Sequence, residues 1–142
     1  MSDEEFYEAA IRHWMGGIIL EQQEEYDNAV CMQGFAAECA LKKIMDKINS
    51  GGDSTEYRHY GDILFQDIKM MLDGDFALTT MLDPACGLRL SAISIPEVLF
   101  KLHPERRYFR DGIYTKTDAE LCRNAVEQLI REMTYMHLDG YI

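Results

Sequence analysis

The sequence is poor in residues that interrupt helices and lacks the short motifs that announce common chemistries. Its three prolines, Pro84, Pro96 and Pro104, all fall in one stretch of the 142 residues. Proline removes a backbone donor and clashes with the preceding helical turn. The chain on either side of that stretch is therefore free to form long helices. There is no glycine-rich phosphate loop, no G-x-S-x-G elbow and no H-E-x-x-H pair. The carboxylate set of a nucleotidyltransferase on a strand pair is also missing, so that activity would have to come from a partner. No apolar run reaches the roughly 18 residues needed to cross a bilayer, and no membrane association is expected. The opening, Met1 to Ala10, is acidic and resembles neither a secretory signal nor a transit peptide. A cytoplasmic location is the expectation.

Cations are scarce. Fourteen Lys and Arg face 25 Asp and Glu, a net charge of -11. Such a field repels polyanions, which excludes broad DNA binding or a phosphate-wrapping surface. Any nucleotide or RNA contact must come from a local basic patch. The four cysteines, Cys31, Cys39, Cys86 and Cys122, form no C-x-x-C pair and have no histidine at zinc-finger spacing. They read as small buried thiols. No metal site, disulfide framework or cofactor is predicted.

What the chain does have is helical periodicity. At 47% apolar residues it can bury a core within a single domain spanning residues 1–142. Ser2 with Glu5 forms a capping-box signature, and Phe6, Ala10, Trp14 and Ile18 recur every four residues, predicting a first helix over about 3–25. Gly16 and Gly17 lie inside it, as a notch for another helix or a kink. A second helix is predicted over 27–48, with Val30, Ala37, Leu41, Ile44 and Ile48 on one face and a stop at Asn49-Ser50-Gly51-Gly52. A third covers about 57–72, with Leu64, Ile68 and Met71 inward. Residues 75–116 read as short helices and loops, with Pro96 opening a helical turn through Phe100. Thr117 with Glu120 predicts the start of a last helix over 117–137, its core stripe being Cys122, Val126, Leu129, Met133 and Met136. Amphipathic helices with short connections make an all-α bundle.

Three separate motifs add to this pattern. Tyr26-Asp27-Asn28-Ala29-Val30 followed by Ala37-Glu38-Cys39-Ala40-Leu41-Lys42 resembles the second helix of the HEPN domain family. His59 followed by Ile63-Leu64 is similar to the opening of that family's third helix. Arg107-Tyr108, then Tyr114 to Glu120, is similar to its entry into the last helix. Order and spacing agree over about residues 5–133. The resemblance implies an antiparallel four- or five-helix bundle with up-and-down connections, commonly a homodimer. It also implies association with a nucleotide or RNA, or with a minimal nucleotidyltransferase partner, in some relatives within toxin–antitoxin or defence modules. The ribonuclease branch carries an Arg followed a few residues later by a His. The branch with Arg-Tyr before the last helix often lacks that pair.

Candidate site residues follow from both lines. Glu38 and Lys42 are i and i+4 in the favourable order; they make either a surface or semi-buried ion pair or a charged ledge facing a cleft. His59, between Tyr57, Arg58 and Tyr60, is either a core-edge histidine or a ligand contact. From Lys101 to Lys116, five Lys and Arg stand against two acids. Within that stretch Arg106, Arg107 and Arg110 suit phosphate oxygens, and Tyr108 suits base stacking. The plainer reading is a solvated basic loop.

Arg131 and His137 match the ribonuclease pattern. A metal-independent 2'-hydroxyl attack would use His137 as acid or base and Arg131 on the phosphorane. On a continuous helix, however, the second is rotated about 240° from the first after one full turn, so they point to different faces. The first expectation is thus a non-catalytic phosphate or partner binder. The alternatives are a ribonuclease toxin and a purely structural dimeric module.

Overall fold

The computed structural model describes residues 5–48, 54–74 and 84–138. Six α-helices and two single-turn 3-10 helices account for about four-fifths of them, and no strand occurs among the described residues. The helices are α1 (Phe6–Gln22), α2 (Tyr26–Ile48), α3 (Gly61–Gly74), α4 (Pro84–Ala92), α5 (Glu97–Phe100) and α6 (Lys116–Leu138). The 3-10 turns are Ser54–Tyr57, before α3, and Glu105–Tyr108, after α5. The expected all-α helical bundle is what forms.

α2 is the hub. Fifteen of its 23 residues are buried, which is too many for one amphipathic stripe. It packs against α1, α3, α5, α6 and both 3-10 turns. Its sequence permits this because Ala29, Gly34, Ala36, Ala37 and Ala40 let neighbouring backbones approach, while Val30, Leu41, Ile44 and Ile48 fill the spaces between. α1 folds back on α2 after a three-residue turn in which Glu24 adopts φ 63°. α6 closes the bundle against both helices. Its predicted stripe, Cys122, Val126, Leu129, Met133 and Met136, is wholly buried.

Two ion pairs tie α6 to the rest. Arg123 donates to Glu21 of α1 at 2.7 Å, and the Arg89 Nε of α4 donates to both oxygens of the buried Glu132 at 2.9 and 3.0 Å.

The boundaries differ from expectation in instructive places. Residues 54–57 form a 3-10 turn and Arg58 has φ 51°, so α3 begins at Gly61 rather than near Tyr57. The capping box of α6 lies two residues earlier than Thr117. The Thr115 hydroxyl accepts from the Asp118 N–H at 3.2 Å, and the Asp118 carboxylate accepts from the Thr115 N–H at 2.9 Å. Glu5 sits at the N-cap of α1 without a side-chain cap bond, while Ser2 and the 49–52 stop lie outside the described residues. Gly17 serves the fold itself, since a Cβ there would lie 2.4 Å from the Gln33 amide nitrogen. Gly16 faces open space.

Gly34 is the tightest constraint on α2. A Cβ at this position would lie 2.5 Å from Arg106 Nη2 and 2.7 Å from His103 Nδ1, both on buried side chains. Gly34→Ala is expected to lower unfolding free energy by about 1–3 kcal/mol through overpacking. Gly87→Ala, on α4 with nothing within 4 Å of its added methyl, should be neutral or gain up to about 1 kcal/mol from helix propensity. Urea unfolding of the two variants checks the contrast, and equal effects would refute it.

Candidate functional site

A carboxylate in the middle of the central helix organises the candidate site. Glu38 is buried on α2, on the side covered by the two 3-10 turns. An unpaired carboxylate there would be very costly. Three donors from three parts of the chain meet it. Oε1 accepts from His59 Nδ1 at 2.8 Å and from His103 Nε2 at 2.9 Å. Oε2 accepts from Lys42 Nζ at 3.0 Å, one helical turn along α2. An ionised carboxylate only accepts, so the two imidazole nitrogens facing it carry protons.

The electrostatics follow from this geometry. Burial alone would push the Glu38 carboxyl up. The hydrogen bonds from His103, His59 and Lys42, with the charge of Lys42, outweigh it and hold the group at about 2. Burial lowers His103, and Arg106 and His59 lower it further, against the pull of Glu38. The core of the cluster is thus a Lys–Glu pair with a neutral imidazole. His13 of α1 is also lowered, by burial and by Arg12, with Glu38 opposing.

Phe35 is the wall of the site. Its ring lies 4.6 Å from that of His103, 5.9 Å from His59 and 6.0 Å from His13, centroid to centroid. Three of the chain's four histidines therefore surround one phenylalanine. His103 is almost fully enclosed, whereas the His59 side chain is 46% exposed and opens the cluster to solvent. The Arg107 guanidinium stands 5.9 Å from the Phe35 centroid and 5.0 Å from the ring of Tyr108. Arg107 and Tyr108 are both exposed.

Of the residues singled out in the sequence, His59 and Lys42 converge on Glu38, and Arg107, with Tyr108 against it, stands over the ring of Phe35. The Glu38–Lys42 pair is fully buried, not a surface or semi-buried pair, so it sits in a medium where losing one partner costs several kcal/mol.

Arg106 does not belong to a phosphate surface. It is buried, and its guanidinium donates to the backbone carbonyls of Val98, Leu99, Lys101 and Val30, clamping the turn after α5 onto α2. Those carbonyls occupy the fork that a phosphate would need. Arg110 is exposed beyond the turn.

Arg131 and His137 both lie on α6, which runs unbroken to Leu138. Within one chain they stay on different faces, and His137 stacks on Tyr7 at 3.9 Å.

His103, Phe35 and His13 are not among the candidate site residues of the sequence, although His103 lies in the basic segment and Phe35 in the second-helix motif. The available signal was Gly34, a helix-interior glycine that needs a packing reason. That reason is the close approach of His103 and Arg106.

Glu38 makes stability depend on pH in a defined direction. Its folded value of about 2 is below the ordinary 4.5, so its contribution is present above 4.5 and is lost as pH falls from there towards 2. The size is on the order of 3 kcal/mol. The depressed His103 works in the same sense from the ordinary histidine value downward. Glu38→Gln is expected to be less stable than wild type at neutral pH, with the gap narrowing below pH 4.5. Chemical denaturation across that window checks this; a gap independent of pH would contradict it.

No protein-family model, curated protein or solved structure matches the chain, and the reading of this site rests on its own geometry.

Proposed function

We propose that this chain is a HEPN-like helical protein that binds a phosphate-bearing ligand, a nucleotide or a short stretch of RNA, at the mouth of the Glu38 cluster. The observation that carries the reading is the position of Arg107. Its exposed guanidinium stands over Phe35, and the half-exposed His59 meets the edge of the same ring. An exposed guanidinium suits a phosphate, and Tyr108 beside it offers a stacking surface for a base. The buried Glu38 holds His59 in place, so little side-chain entropy is lost on binding. In a protein of net charge -11, such a local site is the arrangement that tolerates a polyanion's terminus or a single nucleotide rather than a long duplex.

Arg107→Ala is expected to weaken binding of a fluorescein-labelled single-stranded RNA oligonucleotide about tenfold or more, in a buffer containing EDTA. ATP should compete. The dependence of log affinity on log salt should be shallow, about -0.7 to -1.4, for one or two phosphates on a single strand. Fluorescence anisotropy checks all three. Equal affinity in the variant would sink the placement, and a steep salt slope would sink the single-site reading.

The assembly that accompanies this reading is a homodimer through the outer face of α1. Met15 and Ile19 are exposed there, beside Gly16 with open space above it. Knob and notch on one face are self-complementary, as a two-fold interface requires. Sedimentation at micromolar concentration should give twice 16.4 kDa, and Ile19→Glu should give the monomer. A wild-type monomer would overturn the dimer without touching the ligand site.

A further inference from the structure

Glu38, His59 and His103 make up a donor set that hydrogen bonding alone does not exhaust. Their ligand atoms, one carboxylate oxygen and two imidazole nitrogens, all lie within 4.8 Å of one another. Both imidazoles address the same oxygen, Oε1, at 2.8 and 2.9 Å. Metal–nitrogen and metal–oxygen bonds of about 2.0–2.2 Å in a tetrahedral site separate the ligand atoms by slightly more than this. Small outward movements of the two rings would therefore admit an ion between them. Oε2 meanwhile stays on Lys42 at 3.0 Å, the kind of outer contact that fixes a ligating carboxylate in a one-oxygen mode.

Two further features favour an ion. Both histidines directly follow non-glycine residues in the left-handed region, Arg58 at φ 51° before His59 and Leu102 at φ 63° before His103. Such residues are uncommon and concentrate where the chain holds a functional group in place. Finally, Glu38 and His103 are enclosed while the His59 side chain is 46% exposed. The cluster is closed on two sides and open on the third, which leaves a coordination position for water or a substrate oxygen.

We propose that Glu38, His59 Nδ1 and His103 Nε2 form a three-ligand site for a divalent transition-metal ion of the zinc type, with one open coordination position facing solvent beside Arg107. Two histidines and a glutamate with an open position is a donor set suited to zinc in a reactive rather than a purely structural role. Borderline nitrogen donors disfavour magnesium and calcium, which take oxygen ligands. The inference does not depend on the phosphate reading, since Arg107 is no ligand.

The test is titration of the purified, metal-free chain with cobalt(II) chloride, followed by competition with zinc. One equivalent is expected to bind, with weak visible ligand-field bands and without the strong near-ultraviolet band of a cobalt thiolate. That second criterion separates the site from Cys31, Cys39, Cys86 and Cys122. His59→Ala removes a half-exposed side chain and should keep the helical circular dichroism spectrum while lowering cobalt affinity by at least about tenfold. Glu38→Gln should do the same, with its folding checked in parallel. Absence of saturable binding overturns the proposal. So does binding unchanged in His59→Ala, or a thiolate band in the wild type. RNA binding measured in EDTA reports on Arg107 separately, so either reading can fail alone.

Discussion

Burying one carboxylate in the central helix of a small bundle sets the terms for everything around it. Glu38 sits where desolvation would be prohibitive without partners, and α2 itself can supply only Lys42. The remaining donors must come from elsewhere, and they arrive on two irregular segments, the turn before α3 and the turn after α5. The need to satisfy Glu38 therefore fixes how both irregular segments lie on α2. Gly34 removes the methyl group that would block this approach, and Arg106 holds the second segment down by its carbonyls. The polar cluster and the tight packing beside it are one arrangement seen from two sides.

This explains why the site is both rigid and accessible. Two imidazoles, one ammonium and one phenyl ring constrain one another, so none has much rotamer freedom left to lose when a ligand arrives. His59, Arg107 and Tyr108 are exposed, and Phe35 and His13 are partly so. A ligand or ion entering from solvent meets a prepared surface whose supporting groups are already dry. The half of the cluster that faces inward behaves as core, and the half that faces outward is open to solvent.

The helices were legible because periodicity is a local property. Val30, Leu41, Ile44 and Ile48 on α2, and Cys122 through Met136 on α6, repeat at spacings that only a helix brings to one side, and all are buried. Boundaries were harder where two local rules competed. Both Thr115 with Asp118 and Thr117 with Glu120 satisfy a capping pattern, and the chain uses the first. The site was half legible. Glu38, Lys42, His59 and Arg107 could be picked out through the HEPN-like pattern and charge. Arg106 looked like its neighbours but is buried, since alternation of exposure within a one-turn helix cannot be read from a run of like residues. His103 lies 65 positions from Glu38, and no spacing rule reaches that far. Its partnership is a product of tertiary folding.

Asp27, in the first turn of α2, carries a consequence of its own. Its two oxygens accept the backbone N–H groups of Gly112 at 2.6 Å and Tyr114 at 2.8 Å. Glu38, three turns further along the same helix, holds His103. The strap from His103 to Tyr114 is therefore fastened at both ends to acids on one rigid helix, with Arg107 and Tyr108 between the fastenings. A strap held at both ends cannot swing away as a flap hinged at one end would. Releasing either anchor alone leaves the other to limit the excursion, and the loop-closure entropy that opening could recover stays small. With Arg106 also bonded to the Val30 carbonyl of α2 inside the strap, fluctuations of this edge are confined to short spans between fixed points, and larger exposure of the face becomes a sub-global event that requires both acids and Arg106 to let go.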